Sequence, residues 1–323
     1  MNIKKHFFAI LFLALAAGGG LYLWRGGDSS GAAQAAFSMV RDDAGREVRV
    51  PERPKRVVVL SATHVDLFCA AGGKDILVGK PISQVMSDDT KAASANAKEI
   101  GMSMSPNTEI ILSLNPDLII GLNMPPHLAL IPILEKVGIP MLAKSTDTYE
   151  QALAALRFYG ELAGQEETAR TKIAEIQGKY SLARQKSAGK RPPRSLILFG
   201  TPESMSMATK KSFTGDLLER LGGGNVMDNA VGFDTSSAYL SLSMEYVTKQ
   251  NPEVIFLITH GSPEGLEEKF SREMSGNPIW NQLSAVKNGR LYVLPYGLFT
   301  INPGSRIGDA INMLADKLYG ENR

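Results

Sequence analysis

The chain has 323 residues, 44% hydrophobic and 21% charged, enough for two domains or two lobes of one fold, each with its own core. Its 35 basic and 33 acidic residues give a net charge of +2 with no long run of one sign, which argues against a nucleic-acid partner. The single cysteine, Cys69 in "VDLFCAAGG", excludes a disulfide framework and a cysteine-built zinc or iron–sulfur cage, and reads as a small buried hydrophobe.

The first 25 residues read as a membrane anchor. Lys4 and Lys5 precede an apolar stretch from Phe7 to Trp24, about 27 Å long as a helix and close to the bilayer core thickness. The rival is a cleaved signal peptide, but the Ala33-Gln34-Ala35 candidate site lies well past the apolar run. The lysines place the N-terminus in the cytoplasm and the body outside the cell membrane, or secreted or periplasmic if the segment is cleaved. Residues 26–40 begin with "GGDSSGAAQAA", a small-residue tether.

Residues 41–150 form a first lobe. "RVVVLSATHVDLF" predicts a buried strand over Arg56 to Leu60 that turns into a helix near Thr63, ended by Gly72-Gly73. "ILVGKP" is the next strand, "LALIPILEKVG" a helix and "IPMLAK" a strand. Strands alternating with helices predict an α/β fold built on parallel sheets. From Tyr149 to about Lys186 the periodicity is helical, giving a connecting region over 151–190 that Pro192-Pro193 ends. "SLILFG" restarts the α/β pattern, so residues 191–323 form a second lobe.

The second lobe repeats the first. "EIILSLNPDLIIGL" (Glu109 to Leu122) and "EYVTKQNPEVIFLI" (Glu245 to Ile258) share a glutamate, an Asn-Pro, an acid and a strand in the same register. Each predicts a helix broken at Asn-Pro and followed by a buried strand.

In open parallel sheets ligands bind beyond the carboxyl ends of strands, where helix N-termini point. "ITHGSP" places Thr259 and His260 after a strand, ahead of a helix opened by Ser262 and Pro263. "GMSMSP" places Met104 ahead of a helix that Ser105 would cap and Pro106 would begin. If the lobes face each other, Met104 and His260 meet across the cleft. Met102, Met124 (which matches His260 in the repeat register) and His64 are rival ligands. A hydrophobic staple would need an apolar partner where Glu109 stands. A thioether opposite an imidazole suits iron in a porphyrin, heme b as a transported ligand. The propionates would then seek donors near helix starts, such as Thr63, His64, Ser83 and Gln84.

These residues resemble the substrate-binding proteins of ABC importers for iron–siderophores, heme and cobalamin, over roughly Phe37 to Tyr319. The strings "LVGKPIS", "IGMSMSPNTE", "ATKKSFTGDLLERLGGGNVM", "THGSPEGLEEKF" and "NPIWNQLSAVKNGRLYVL" are most like the heme-receptor lipoproteins of iron-regulated surface determinant (Isd) systems. The resemblance implies two Rossmann-like lobes joined by a single long backbone helix, the class III periplasmic-binding-protein fold. It also implies a transport rather than enzymatic role, with heme iron held by Met104 and His260. Its implied partners are an ABC permease with its ATPase, docked through Glu109 and Glu245, and an upstream heme donor. A siderophore or corrinoid receptor is the alternative within that family, and a heme-modifying enzyme the alternative outside it. The chain departs from the family in lacking the lipid-anchoring cysteine, and Gln84 and Val85 supply no cation for a propionate.

Overall fold

The computed structural model describes residues 36–201, 204–228, 230–259, 270, 272 and 276–320. The predicted anchor, most of the tether and His260 lie outside the described residues. Among the described residues no helix is long and apolar enough to cross a membrane. Ala35–Arg323 forms one compact unit.

A hairpin of β1 (Phe37–Arg41) and β2 (Glu47–Pro51) leads into the first sheet. That sheet contains β3 (Val57–Val59), β4 (Leu77–Ile82), β5 (Lys98–Met102), β6 (Ser105–Pro106), β7 (Leu118–Leu122) and β8 (Met141–Lys144). Its order is β6-β5-β4-β3-β7-β8, parallel except for the short β5–β6 pair. Between its strands run α1 (Ala62–Ala70), α2 (Asp88–Ala93), α3 (Thr108–Ser113), α4 (Pro125–Leu128) and α5 (Ile131–Lys136).

The predicted connecting helix is two helices, α6 (Tyr149–Ala163) and α7 (Glu166–Ser187). Thr148 and Gln151 close a reciprocal capping box at the start of α6, and Gly164, at φ 67°, ends it. The longer α7 alone runs on into the second half.

There the second sheet contains β9 (Arg194–Gly200), β10 (Met205–Ala208), β11 (Gly224–Asn225), β12 (Tyr239–Ser241), β13 (Val254–Thr259) and β14 (Leu291–Val293). Its order is β12-β10-β9-β13-β14, with β11 also on β9, and β10 and β12 run antiparallel. Helices α8 (Phe213–Arg220), α9 (Met244–Gln250), α10 (Pro278–Gln282), α11 (Ser284–Lys287), α12 (Tyr296–Phe299) and α13 (Ile307–Tyr319) complete it.

Along the central strands, successive residues are buried in different cores. Val57, Val59, Leu118, Ile120, Ile197, Val254, Phe256 and Ile258 enter one continuous core with α1, α6, α7, α8 and α13. Their neighbours go elsewhere. Val58, Leu60 and Ile119 pack in a separate core outside the first sheet, and Leu196, Leu198, Ile255 and Leu257 in another outside the second. Each sheet is covered on both faces, which is why its strands read as unbroken apolar runs.

The repeat found in the sequence is a structural one. Asn115 (φ 45°) and Asn251 (φ 42°) are the two non-glycine residues at positive φ among those described. Each ends its helix in the left-handed conformation that asparagine tolerates better than most residues. Two positions later an acid ties the chain to the start of the sheet's first strand. Asp117 accepts from the Lys55 and Arg56 amides at 2.6 and 3.0 Å, and Glu253 accepts from the Arg194 amide at 2.8 Å. Arg56 and Arg194 return the favour to the helix end, donating to the Leu114 and Asn251 carbonyls.

Because these acids satisfy backbone donors at strand starts, Asp117→Ala and Glu253→Ala should each lower unfolding stability by about 1–2 kcal/mol. Urea denaturation of each variant checks this, and the Glu253→Ala loss includes its ion pair with Arg191 at 2.6 Å.

Candidate functional site

Met104 sits at the tip of the β5–β6 turn and is 61% exposed. The prediction that Ser105 caps a helix and Pro106 begins it is corrected here. Ser105 and Pro106 form β6, pairing with Met102 and Gly101. The cap of α3 is Asn107, whose side chain accepts from the Ile110 amide at 3.0 Å. Gly101, at φ 94°, makes the hairpin possible, because a Cβ there would crowd the Ser105 carbonyl.

The turn is held from beneath by Ser103. Its hydroxyl donates to the Leu60 carbonyl at 2.7 Å, and its own carbonyl lies 2.7 Å from His127 Nε2. The Leu122 amide donates to His127 Nδ1 at 2.7 Å, which puts the remaining ring proton on Nε2, aimed at Ser103. His127 is fully buried, and burial lowers its pKa, so the neutral ring that this bridge needs is favoured. The turn carrying Met104 is thus bonded to the carboxyl ends of β3 and β7. Neither Ser103 nor His127 was identified from the sequence. The only signal was their presence, a hydroxyl between the two methionines and a histidine just after a strand.

The proposed propionate donors divide. Ser83 is half-buried and Gln84 exposed, both just beyond the carboxyl end of β4, with Ser83 Oγ accepting from the Val85 amide. Thr63 and His64 do not share that location with free polar groups. Thr63 is buried, and its hydroxyl donates to the Asn302 carbonyl at 2.7 Å. His64 is fully buried between Tyr159 and the end of β8. The Tyr159 hydroxyl donates to Nδ1 at 2.8 Å, and Nε2 faces the Lys144 carbonyl at 3.3 Å. Thr63 and His64, the latter the rival to His260, thus have their polar side-chain atoms bonded within the protein, while Ser83 and Gln84 stand at an open edge. Helix starts are good anion sites only where their side chains are open, and α6 covers this one.

His260 lies outside the described residues. Thr259, immediately before it, ends β13 fully buried, with its carbonyl accepting from Thr300 Oγ1 at 3.0 Å. Met124, its counterpart in the repeat, is half-buried and stands as the N-cap of α4. Met102 is exposed on β5, paired with Ile82. Glu109 and Glu245 are both exposed and occupy the second position of their helices, behind the caps Asn107 and Ser243. Cys69 is half-buried in α1, and burial pushes its thiol up to about 12, so it is protonated and unreactive at neutral pH.

A family model described as periplasmic binding protein matches residues 57–296. The chain is 27% identical over 290 residues to a putative ABC transporter substrate-binding lipoprotein, YhfQ of Bacillus subtilis, covering 87% of each. It is 26% identical over 249 residues to the high-affinity heme uptake system protein IsdE of Staphylococcus aureus, covering 76% of this chain and 82% of that one. The crystal structure of IsdE complexed with heme aligns at a TM-score of 0.67, over 82% of this chain and 98% of that chain. The petrobactin-binding protein YclQ of Bacillus subtilis shares the fold at a TM-score of 0.72 with 21% identity, over 89% of this chain and 100% of that chain.

Burial lowers the His64 pKa from 6.5 to about 4, and burial also keeps the Tyr159 phenol protonated as a donor. The neutral ring is the bonded form, so its stabilisation is complete above pH 6.5 and is lost as pH falls toward 4. The total is about 3 kcal/mol. Urea midpoints measured between pH 7 and pH 4 should show this slope. It should flatten in His64→Gln, whose amide still accepts from Tyr159 but does not titrate.

Proposed function

The chain belongs to the periplasmic binding protein family, and we propose from that premise that it is the extracytoplasmic substrate-binding protein of an ABC importer, with heme as its cargo. It has no catalytic role in this reading, and neither the site nor the relatives bring in an enzyme. The observation that carries heme rather than another iron complex is Met104. Methionine is usually buried, and Met104, as exposed as Met102, differs in topping a turn fixed by two hydrogen bonds. A thioether is a poor ligand for a bare hard cation and a good axial ligand for heme iron. His260, next after the end of β13, is the partner ligand in this reading, and Ser83 and Gln84 are the remaining propionate candidates. The relative IsdE, by its name, serves heme uptake.

The permease would dock across Glu109 and Glu245. Their support is the shared position: one exposed acid at the same point of the repeat in each half, presented by a rigid helix start. Membrane attachment would come from residues 1–25, since the chain's one cysteine is Cys69, within α1. Residues 41–150 and 191–323 would act as the two lobes, with 151–190 between them.

Titrating the full-length chain with hemin tests the cargo. A saturable Soret band with low-spin features is expected, and Met104→Ala and His260→Ala should each convert it to a five-coordinate spectrum with weaker binding. Saturable binding of a ferric siderophore, with no Soret change on adding hemin, would replace heme by the siderophore alternative. Docking is checked separately. Glu109→Lys with Glu245→Lys should leave hemin binding unchanged while abolishing co-purification with the reconstituted permease.

A further inference from the structure

Beyond α7 and the shared apolar core, two groups of hydrogen bonds join the halves among the described residues. The first joins α6 to α8: the Tyr149 amide donates to Asp216 at 2.9 Å, and Arg220 reaches both Asp216 and Glu150. The second is the segment 300–305 between α12 and α13, with Asn302 buried at its centre. Asn302 Nδ2 donates to the Thr146 carbonyl at 2.7 Å, and its carbonyl accepts from Thr63. Its Oδ1 accepts from the Gly304 amide at 2.9 Å, which folds the segment into a tight turn. Gly304 is at φ 65° and leaves no room for a Cβ against the Asp66 carboxylate, which accepts from the Ser305 amide. Asp66 Oδ2 in turn accepts from Thr90 Oγ1. At the other end of the segment, Thr300 Oγ1 holds the last carbonyl of β13.

We propose that Thr300–Ser305 is a latch that sets the separation between the carboxyl edges of the two sheets, with Thr63, Thr300 and Asn302 as positioning residues for the bound ligand. A short route connects the Met104 turn to the end of β13. Ser103 holds Leu60; Leu60 runs on into α1 at Thr63; Thr63 holds Asn302; and Thr300 holds Thr259. Each bond is directional, and its loss would leave a buried polar group unpaired, so the route fixes the spacing at the carboxyl edges, which lie beyond the shared core. The latch itself stands on geometry. Its consequence for the ligand rests on the heme reading above.

The test has two arms on the full-length chain. In a Cys69→Ser background, spin labels on Ile133→Cys and Ile279→Cys report the spacing of the halves in the ligand-free protein. A narrow distance distribution is expected, widening to roughly twice in Asn302→Ala and in Thr300→Val and staying narrow in Thr300→Ser, which keeps the hydroxyl. In the second arm, hemin transfer to an apomyoglobin acceptor should accelerate about tenfold in Asn302→Ala and Thr300→Val but not in Thr300→Ser, the effect of one lost hydrogen bond. Unchanged distributions in folded Asn302→Ala and Thr300→Val, judged by circular dichroism, overturn the latch. Thr63→Val replaces Asn302→Ala if the latter does not fold. If the parent chain binds no hemin, the heme reading fails, and the distance arm still decides the latch.

Discussion

The constraint on which the rest depends is the sharing of one core by two sheets. Every second residue of β3, β7, β9 and β13 enters the same apolar mass as α1, α6, α7, α8 and α13. Sliding or rotating one sheet against the other would open that core, and packed interiors do not deform continuously. The molecule therefore lacks the freedom of two balls on a string. In the proposed transport role, recognition comes from groups already in place and release from small displacements at the edges.

Within that frame, each half uses the same device to place its strand ends. A helix stops at a left-handed asparagine, and an acid pins the start of the neighbouring strand, once with Asp117 and once with Glu253. The halves then diverge where the strands end. The first puts Met124 at the cap of α4 and presents Met104 on an adjacent hairpin. In the sequence register of the repeat, Met124 corresponds to His260 in the second half. Equivalent scaffolds carrying different donors suit the asymmetric ligand of the proposed function.

How much of this was legible follows from the range of each interaction. Buried strands announce themselves by apolar runs, and the Asn-Pro repeat by residues with strong local backbone preferences, so both were visible. The start of α3 was misplaced by two residues because Ser105-Pro106 is as good a local helix opener as Asn107; the hairpin that captures it depends on Gly101 and a pairing across the turn. A strand followed by a helix start marks a site edge, which is why Thr63 and His64 read from the sequence as ligand-facing. Their burial comes from α6 and from Asn302, 80 or more residues away in the chain, as the bonds to Lys144, Tyr159 and Asn302 show. No local signal carries that information.

In the proposed heme reading, Met104 shows why such distant bonds matter to chemistry. A methionine side chain has three rotatable bonds, so an axial sulfur is only as well placed as its backbone. Ser103 supplies that placement through two bonds, one to Leu60 and one from His127, each anchored at the carboxyl end of a central strand. The sulfur stays free to rotate while its Cα does not. A soft ligand on a fixed mount can meet an incoming iron without a closing motion, and it can let go without unfolding the turn. That combination suits the proposed carrier, which must bind its cargo and then surrender it.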